Sequence, residues 1–210
     1  MKCDNRYRRK DGCAVRAILP RPEGRGLPRY LIKKKDILVI DMDYQRSIYS
    51  RYQEAKILEN PEPYEVLELD LDKYPQVYEG IRSNPEQIVV IDLQGKLDDN
   101  DLEPLLRTAD VFVIPFHYDK NTFHSTAIFN IVTSQLNPNA KKFFIPNRIK
   151  ATVRHETEEQ VDGEFSRYGT VTAKIADSVS IQRTTTKDIP SNVIPLVEEA
   201  FEMIVREVLP

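Results

Sequence analysis

Ile37-Leu38-Val39-Ile40-Asp41-Met42-Asp43-Tyr44-Gln45 decides the fold class. It reads as a buried strand that runs into two carboxylates one residue apart. Side chains on a strand alternate with period 2, so residues 41 and 43 leave on the same face. A continuous apolar run that stops at acids is how an α/β protein brings charge to the C-terminal edge of a parallel sheet, the edge where ligands bind.

Outward from this stretch the pattern is regular. Strand-like runs occupy Ile37–Asp41, Val66–Leu69, Ile88–Asp92, Val111–Pro115, Phe143–Pro146 and Val171–Ile175. Apolar spacing near 3.6 falls between several of them. Leu102, Leu105, Leu106 and Ala109 form one helical face, with Asp99 and Asn100 as candidate N-caps. Ala127, Ile128, Ile131 and Val132 form a second, and Val197, Phe201, Ile204 and Val208 line a final helix expected to pack on the sheet. Strands alternating with helices across short turns predict an α/β fold, a doubly wound, mostly parallel sheet.

Composition narrows the class. The chain has 210 residues, 40% of them hydrophobic, enough for one sizeable core. No apolar run approaches about 18 residues, so no membrane span is expected. The N-terminal residues lack a signal peptide's apolar core, and Cys3 and Cys13 are too few for a disulfide framework; the expected compartment is the cytoplasm. Charge is divided unevenly. Residues 1–36 hold twelve Lys and Arg against four Asp and Glu, a balance of +8, so the formal net charge of −3 leaves −11 on residues 37–210. The expected organisation is an atypical basic segment, 1–36, followed by one domain, 37–210. A basic arm could hold nucleic acid phosphates, although a solvated tail is the simpler reading.

Chemistry in such a fold belongs at strand ends. Asp41 and Asp43 are the first pair. Ile88–Asp92 ends in another acid, with Gly95 soon after, and Asp92 suits direct or outer-sphere contact with Mg²⁺, a hard cation that prefers oxygen ligands and keeps its waters. Phe143–Pro146 leads into Asn147 and Arg148, an amide and a guanidinium, and an amide that donates and accepts suits a purine edge. Taken singly, each Asp reads as a helix N-cap or a surface turn; three polar strand ends in one sheet argue for a site. His117, His124 and His155 have no metal-like spacing, Glu156–Glu164 reads as a solvated helix face with Val161 and Phe165 turned inward, and Thr184-Thr185-Thr186 reads as a turn.

From about Lys35 onward these residues resemble the ParA/MinD group of P-loop ATPases, the deviant Walker A class of P-loop NTPase-like proteins. Asp41-Met42-Asp43-Tyr44-Gln45 is similar to that family's Asp-x-Asp-x-Gln motif, Ile88–Asp92 to its Walker B strand, Ala109–Pro115 to its Ala-Asp-strand-Pro segment, and Ile145–Arg148 to the strand end that reads adenine. Residues 175–189, with Ser178, Ile181 and Arg183, resemble the family's last strand and loop. The resemblance implies ATP with Mg²⁺ as cofactors. It also implies Asp43 as the catalytic residue that orients water, Asp41, Asn147 and Arg148 as nucleotide-binding residues, and Asp92 as the metal residue. It further implies a homodimer, nonspecific DNA and a centromere-binding ParB-like partner, in the partition of plasmid, chromosomal or conjugative-element DNA. The family's Thr-Pro-Pro after Walker B is replaced by Leu93-Gln94-Gly95.

The family's phosphate loop is missing. Its Gly-rich backbone cradles phosphate, its Lys neutralises charge and its Ser or Thr holds Mg²⁺. The corresponding residues read Arg9-Lys10-Asp11-Gly12-Cys13-Ala14-Val15-Arg16, with no Gly-Lys-Ser/Thr, no apolar first strand in 2–10, and Pro20, Pro22 and Pro28 set against a helix. The pattern recovers abruptly near Leu31 to Lys35. A shifted reading frame over residues 1 to about 30 would account for this; a genuine basic arm in place of the first βα unit is the alternative. The chain as written is expected to bind ATP poorly, and its sheet to lose a central strand, leaving an unpaired edge at Ile37–Asp41 or its neighbour with reduced stability. Two further classes are a non-enzymatic adaptor of the same fold and a receiver domain accepting phosphate at Asp92. The receiver is disfavoured because Asn147, not Lys, follows Phe143–Pro146.

Overall fold

The computed structural model describes residues 15–19 as backbone, and 37–56, 64–84, 87–93, 101–150, 152, 156–183 and 191–208. Its strands are β1 (Val15–Leu19), β2 (Ile37–Asp41), β3 (Glu65–Glu68), β4 (Ile88–Leu93), β5 (Val111–Phe116), β6 (Lys141–Pro146) and β7 (Thr170–Val171). Its helices are α1 (Ser47–Lys56), α2 (Tyr74–Ser83), α3 (Leu102–Thr108), α4 (Lys120–Leu136), α5 (Glu158–Phe165), α6 (Val179–Gln182) and α7 (Ile194–Val208). The strands form one sheet in the order β3-β2-β4-β1-β5-β6-β7. Two parallel three-stranded halves, β3-β2-β4 and β5-β6-β7, are joined by β1, which runs antiparallel to both β4 and β5.

The alternation of apolar residues explains the layers. Ile40, Ile91, Phe112, Ile114 and Phe144 face a core shared with Leu102, Leu105, Leu106, Phe129, Val161 and Phe165 of α3, α4 and α5. Val111, Val113, Phe143 and Ile145 face the opposite way, against Ala200, Ile204 and Val208 of α7. Helices therefore cover both faces, as the strand–helix alternation predicts. Phe165 is the hub of the first core: it stacks on Phe144 at 4.7 Å between centroids and meets Phe116 edge-on at 5.0 Å.

Strand β1 corrects two expectations. No strand is anticipated before Leu31, yet Val15–Leu19 occupies the centre of the sheet and pairs with β4 and β5; nor is β2 left with an unpaired edge, since it pairs with β3 on one side and β4 on the other. Direction is the physical key. A parallel β1 would need a crossover, usually a helix, to return to β2. Antiparallel β1 ends at Leu19 opposite Val89, on the edge where Ile37 pairs with Ile88. The intervening sequence, with Pro20, Pro22 and Pro28, need then supply no helix.

Helix faces bring further corrections. The inward residues of α4 are Thr126, Phe129, Asn130 and Thr133, while Ile128 and Ile131 are exposed. The cause is Lys142 on β6, whose buried ammonium donates to the Asn130 carbonyl at 3.1 Å, Asn130 Oδ1 at 2.9 Å and Ser134 Oγ at 2.5 Å. A buried cation needs acceptors, and this outweighs the pull of two isoleucines. On α7, Phe201 faces outward beside buried Ala200 and Ile204. The last strand is shorter than expected, Thr170–Val171, although Ala176 still bridges Ile149 in parallel. Asp99 and Asn100 lie outside the described residues; Asp101, the residue before α3, caps it with no side-chain hydrogen bond. At the other end of α3, Asn137 Nδ2 donates to the Leu106 and Ala109 carbonyls at 3.0 and 2.7 Å.

Candidate functional site

The parallel strands bring their C-terminal ends to one edge, in the order Leu69-Asp70 after β3, Asp41 to Arg46 after β2, Asp92 on β4, His117 to Asp119 after β5, and Asn147-Arg148 after β6. Asp41 stands opposite Asp92 in the β2–β4 register. Their proximity was not required by sequence, since either strand could have been displaced by another.

Asp41 is fully buried, and its carboxylate serves backbone donors. Oδ1 accepts from Asp43 N at 3.1 Å, and Oδ2 from Ile48 N at 3.0 Å and Tyr49 N at 2.9 Å. The last two are among the orphan N–H groups of the first turn of α1, so Asp41 caps this helix from the preceding strand. Asp43 is half-buried and differently engaged. Its Oδ1 accepts from Gln45 N at 3.0 Å, and its carbonyl accepts from Arg46 N at 2.9 Å, closing the turn Asp43-Tyr44-Gln45-Arg46. Among the described residues Asp43 Oδ2 accepts no hydrogen bond, so of the two acids Asp43 offers the oxygen able to meet a ligand or a water.

Arg46 is the residue that sequence reading missed. It is a non-glycine at φ 47°, and its guanidinium donates from Nη1 to the Asp41 carbonyl at 2.6 Å and the Leu69 carbonyl at 2.8 Å. It also pairs with the Asp70 carboxylate through Nη2 and lies 3.8 Å from Glu68 through Nε. The planar fork thereby ties the end of β2, the end of β3 and the turn after β2 together. The available signal was one arginine placed among Asp41, Asp43, Glu68 and Asp70.

Asn147 continues the β5–β6 ladder, its N–H donating to the Phe116 carbonyl at 2.8 Å. Arg148 follows at φ 58°, half-exposed, with its Nε 3.8 Å from Asp177. At about 4.8 Å per strand, Asn147 lies three strands, roughly 14 Å, from Asp92. Asp43 and Asp92 thus cannot work on the same group as Asn147; the edge suits an extended ligand touched at both ends. Between them, after β5, Asp119 caps α4 by accepting from Asn121 N and Thr122 N, each at 3.0 Å. Burial pulls the Asp119 carboxyl up, but bonds from Thr122 and Asn121 and the nearby His117 bring it below the ordinary range. Tyr118 Oη donates to both Asp162 oxygens, at 2.9 and 3.1 Å, and burial pushes its phenol well up.

Among the described residues no three His, Cys, Asp or Glu side chains are grouped so as to hold a metal ion. Mg²⁺ does not demand such a cage, because it retains waters and is commonly held by one or two carboxylates with substrate phosphates. Asp92, with Asp43 one strand away, fits that donor set; the two oxygens of Asp41 do not. The phosphate groups of a nucleotide are less well served: the acids at the ends of β2, β3 and β4 outnumber Arg46, and no Gly-rich cradle occurs in the sequence.

No family model and no curated protein matches the chain. Solved structures do. A plasmid partition protein of Borrelia burgdorferi bound to AMPPNP superposes with a TM-score of 0.63 at 19% identity, over 85% of this chain and 89% of that one. The fold is that of plasmid partition proteins. A second such structure from Borrelia burgdorferi, an iodide soak, gives a TM-score of 0.59 at 21% identity, over 85% and 88% of the two chains. The sequence-based expectation of a ParA-like α/β fold is thereby met, with an antiparallel strand at its centre. Among the described residues no helix is long and apolar enough to cross a membrane.

Proposed function

We propose that the chain is a ParA-like partition domain whose site lies on the edge carrying Asp43, Asp92 and Asn147. The observation that carries this reading is the coincidence of a partition-protein fold with acids at the ends of adjacent β2 and β4 and an amide at the end of β6. In this reading Asp43 orients the attacking water through Oδ2, and Asp41 holds the Asp43 turn and α1. Asp92 bears on Mg²⁺ through water, and Asn147 and Arg148 meet the base. Mg²⁺, when bound, would supply charge neutralisation at the transferred phosphoryl group, where catalysis is mostly positioning and electrostatics. A homodimer, nonspecific DNA and a ParB-like partner belong to the same reading, with a plasmid or conjugative element as cargo.

The chain as written lacks Gly-Lys-Ser/Thr, so its ATP hydrolase activity is impaired at binding. Calorimetric titration with Mg²⁺ and a non-hydrolysable ATP analogue tests this: affinity in the millimolar range or weaker is expected, and micromolar affinity overturns the impairment. An adaptor of the same fold is the second reading, favoured by the acidic strand ends. Retained DNA or partner binding with no response to ATP would select it.

A further inference from the structure

Asp43 lies in a turn closed by two bonds, Gln45 N–H to Asp43 Oδ1 and Arg46 N–H to the Asp43 carbonyl. Its start is tied to β2 by the Asp43 N–H, which donates to Asp41 Oδ1 at 3.1 Å, and its far end is tied to the sheet by Arg46. Its N–H closes the turn on the Asp43 carbonyl, while its side chain reaches back to the Asp41 carbonyl, across to the Leu69 carbonyl, and to the Asp70 carboxylate. The backbone at Arg46 adopts the left-handed region, which is unfavourable for a non-glycine residue. A conformation of that kind persists where its surroundings over-determine it. Glycine would remove the cost and would also remove the fork.

We propose that Arg46 is a positioning residue for Asp43, a clasp that spends backbone strain to set the direction of the Asp43 carboxylate relative to Asp92. The consequence for chemistry rests on the partition-ATPase reading; the clasp itself does not. Lysine cannot replace it, because one ammonium cannot serve two carbonyls and a carboxylate in the planar geometry that the fork satisfies.

The test compares wild type, Arg46→Lys, Arg46→Ala, Asp43→Asn and the Arg46→Ala/Asp43→Asn double variant in the full chain. Amide hydrogen exchange without nucleotide reads the clasp directly. Protection at Gln45 and Arg46 should fall at least tenfold in both Arg46 variants, while Ile48 and Tyr49, held by Asp41, keep theirs. Unchanged protection at Gln45 and Arg46 overturns the proposal whether or not ATP binds. Turnover of Mg²⁺-ATP then reads the consequence: kcat should fall in both Arg46 variants with KM changed less than threefold, and the double variant should be no slower than Asp43→Asn. Full wild-type kcat in Arg46→Ala, with Asp43→Asn inactive, also overturns it. If wild type neither binds the ATP analogue nor turns over, as the missing phosphate loop leads one to expect, the exchange result alone decides the clasp.

Discussion

In the β3-β2-β4 half of the sheet, the chain leaves its central strand through a left-handed arginine whose guanidinium is committed to two carbonyls and a carboxylate. In the β5-β6-β7 half it leaves the central strand through another left-handed arginine, Arg148, whose side chain is 48% exposed against 22% for Arg46 and lies 3.8 Å from one acid. The two halves share a left-handed arginine after their central strand yet use it oppositely. The first half uses its cation to hold a loop; the second leaves its cation more exposed, beside Asp177, and buries a different one, Lys142, under α4. A positive φ at a strand end marks a demand for a particular backbone path, and the side chain's partners tell whether that path serves the fold or a ligand.

That contrast can be broken by mutation. Asp41→Ala should have the largest effect, because it strands three backbone donors and uncaps α1: about 3–5 kcal/mol, read as a lowered urea midpoint at constant slope. Gly169→Ala comes next, in the other half. An added Cβ would meet the Lys142 carbonyl at 2.2 Å, and displacing backbone there should cost about 1–3 kcal/mol in thermal unfolding. Arg46→Ala should cost about 2 kcal/mol and Arg148→Ala under about 0.5; equal losses would erase the distinction between the halves.

The last test is a pH slope. Burial pushes the Lys142 ammonium down from 10.5 to about 8. Between those values the unfolded chain holds a proton that the folded chain does not, so this group makes stability rise as pH climbs above 8. Burial raises the Tyr74 phenol to about 12, which works in the opposite direction above pH 10 or so, leaving pH 8 to about 9.5 as the window to read. Lys142→Met should flatten the rise there, as followed by denaturant titration at several pH values.

Much of this was legible in the sequence. The strand runs from Ile37, Ile88, Val111 and Phe143 are apolar on both faces, as strands covered by helices on both sides must be, and they emerged within one or two residues. Leu102, Leu105 and Leu106 face inward as their spacing required, and so do Val161 and Phe165. The inward face of α4 was not legible, because its stripe is set by Lys142, a residue on another element. Nor was β1, whose direction follows from a topological economy and not from its own five residues. At the site, the acids and the amide were visible as strand terminators, whereas the Arg46 clasp depends on β3 ending beside β2, a fact of three dimensions. Translating the other two frames of the source DNA over residues 1 to about 30 separates a basic arm from a misread one: a Gly-Lys-Ser/Thr loop in either frame would settle it.

The antiparallel placement of β1 also bears on how the chain comes to be folded. Its partners lie far downstream, Leu19 opposite Val89 and Ile18 opposite Val111. At the usual pace of synthesis the strand waits roughly 4 to 14 s for β4 to leave the ribosome, and longer for β5. Over that interval the β3-β2-β4 half is made before the β5-β6-β7 half, and the strand that joins them is the first of the described strands to be made. Contacts of such separation are slow to form, so the joining of the two halves is expected to be slower than the building of either.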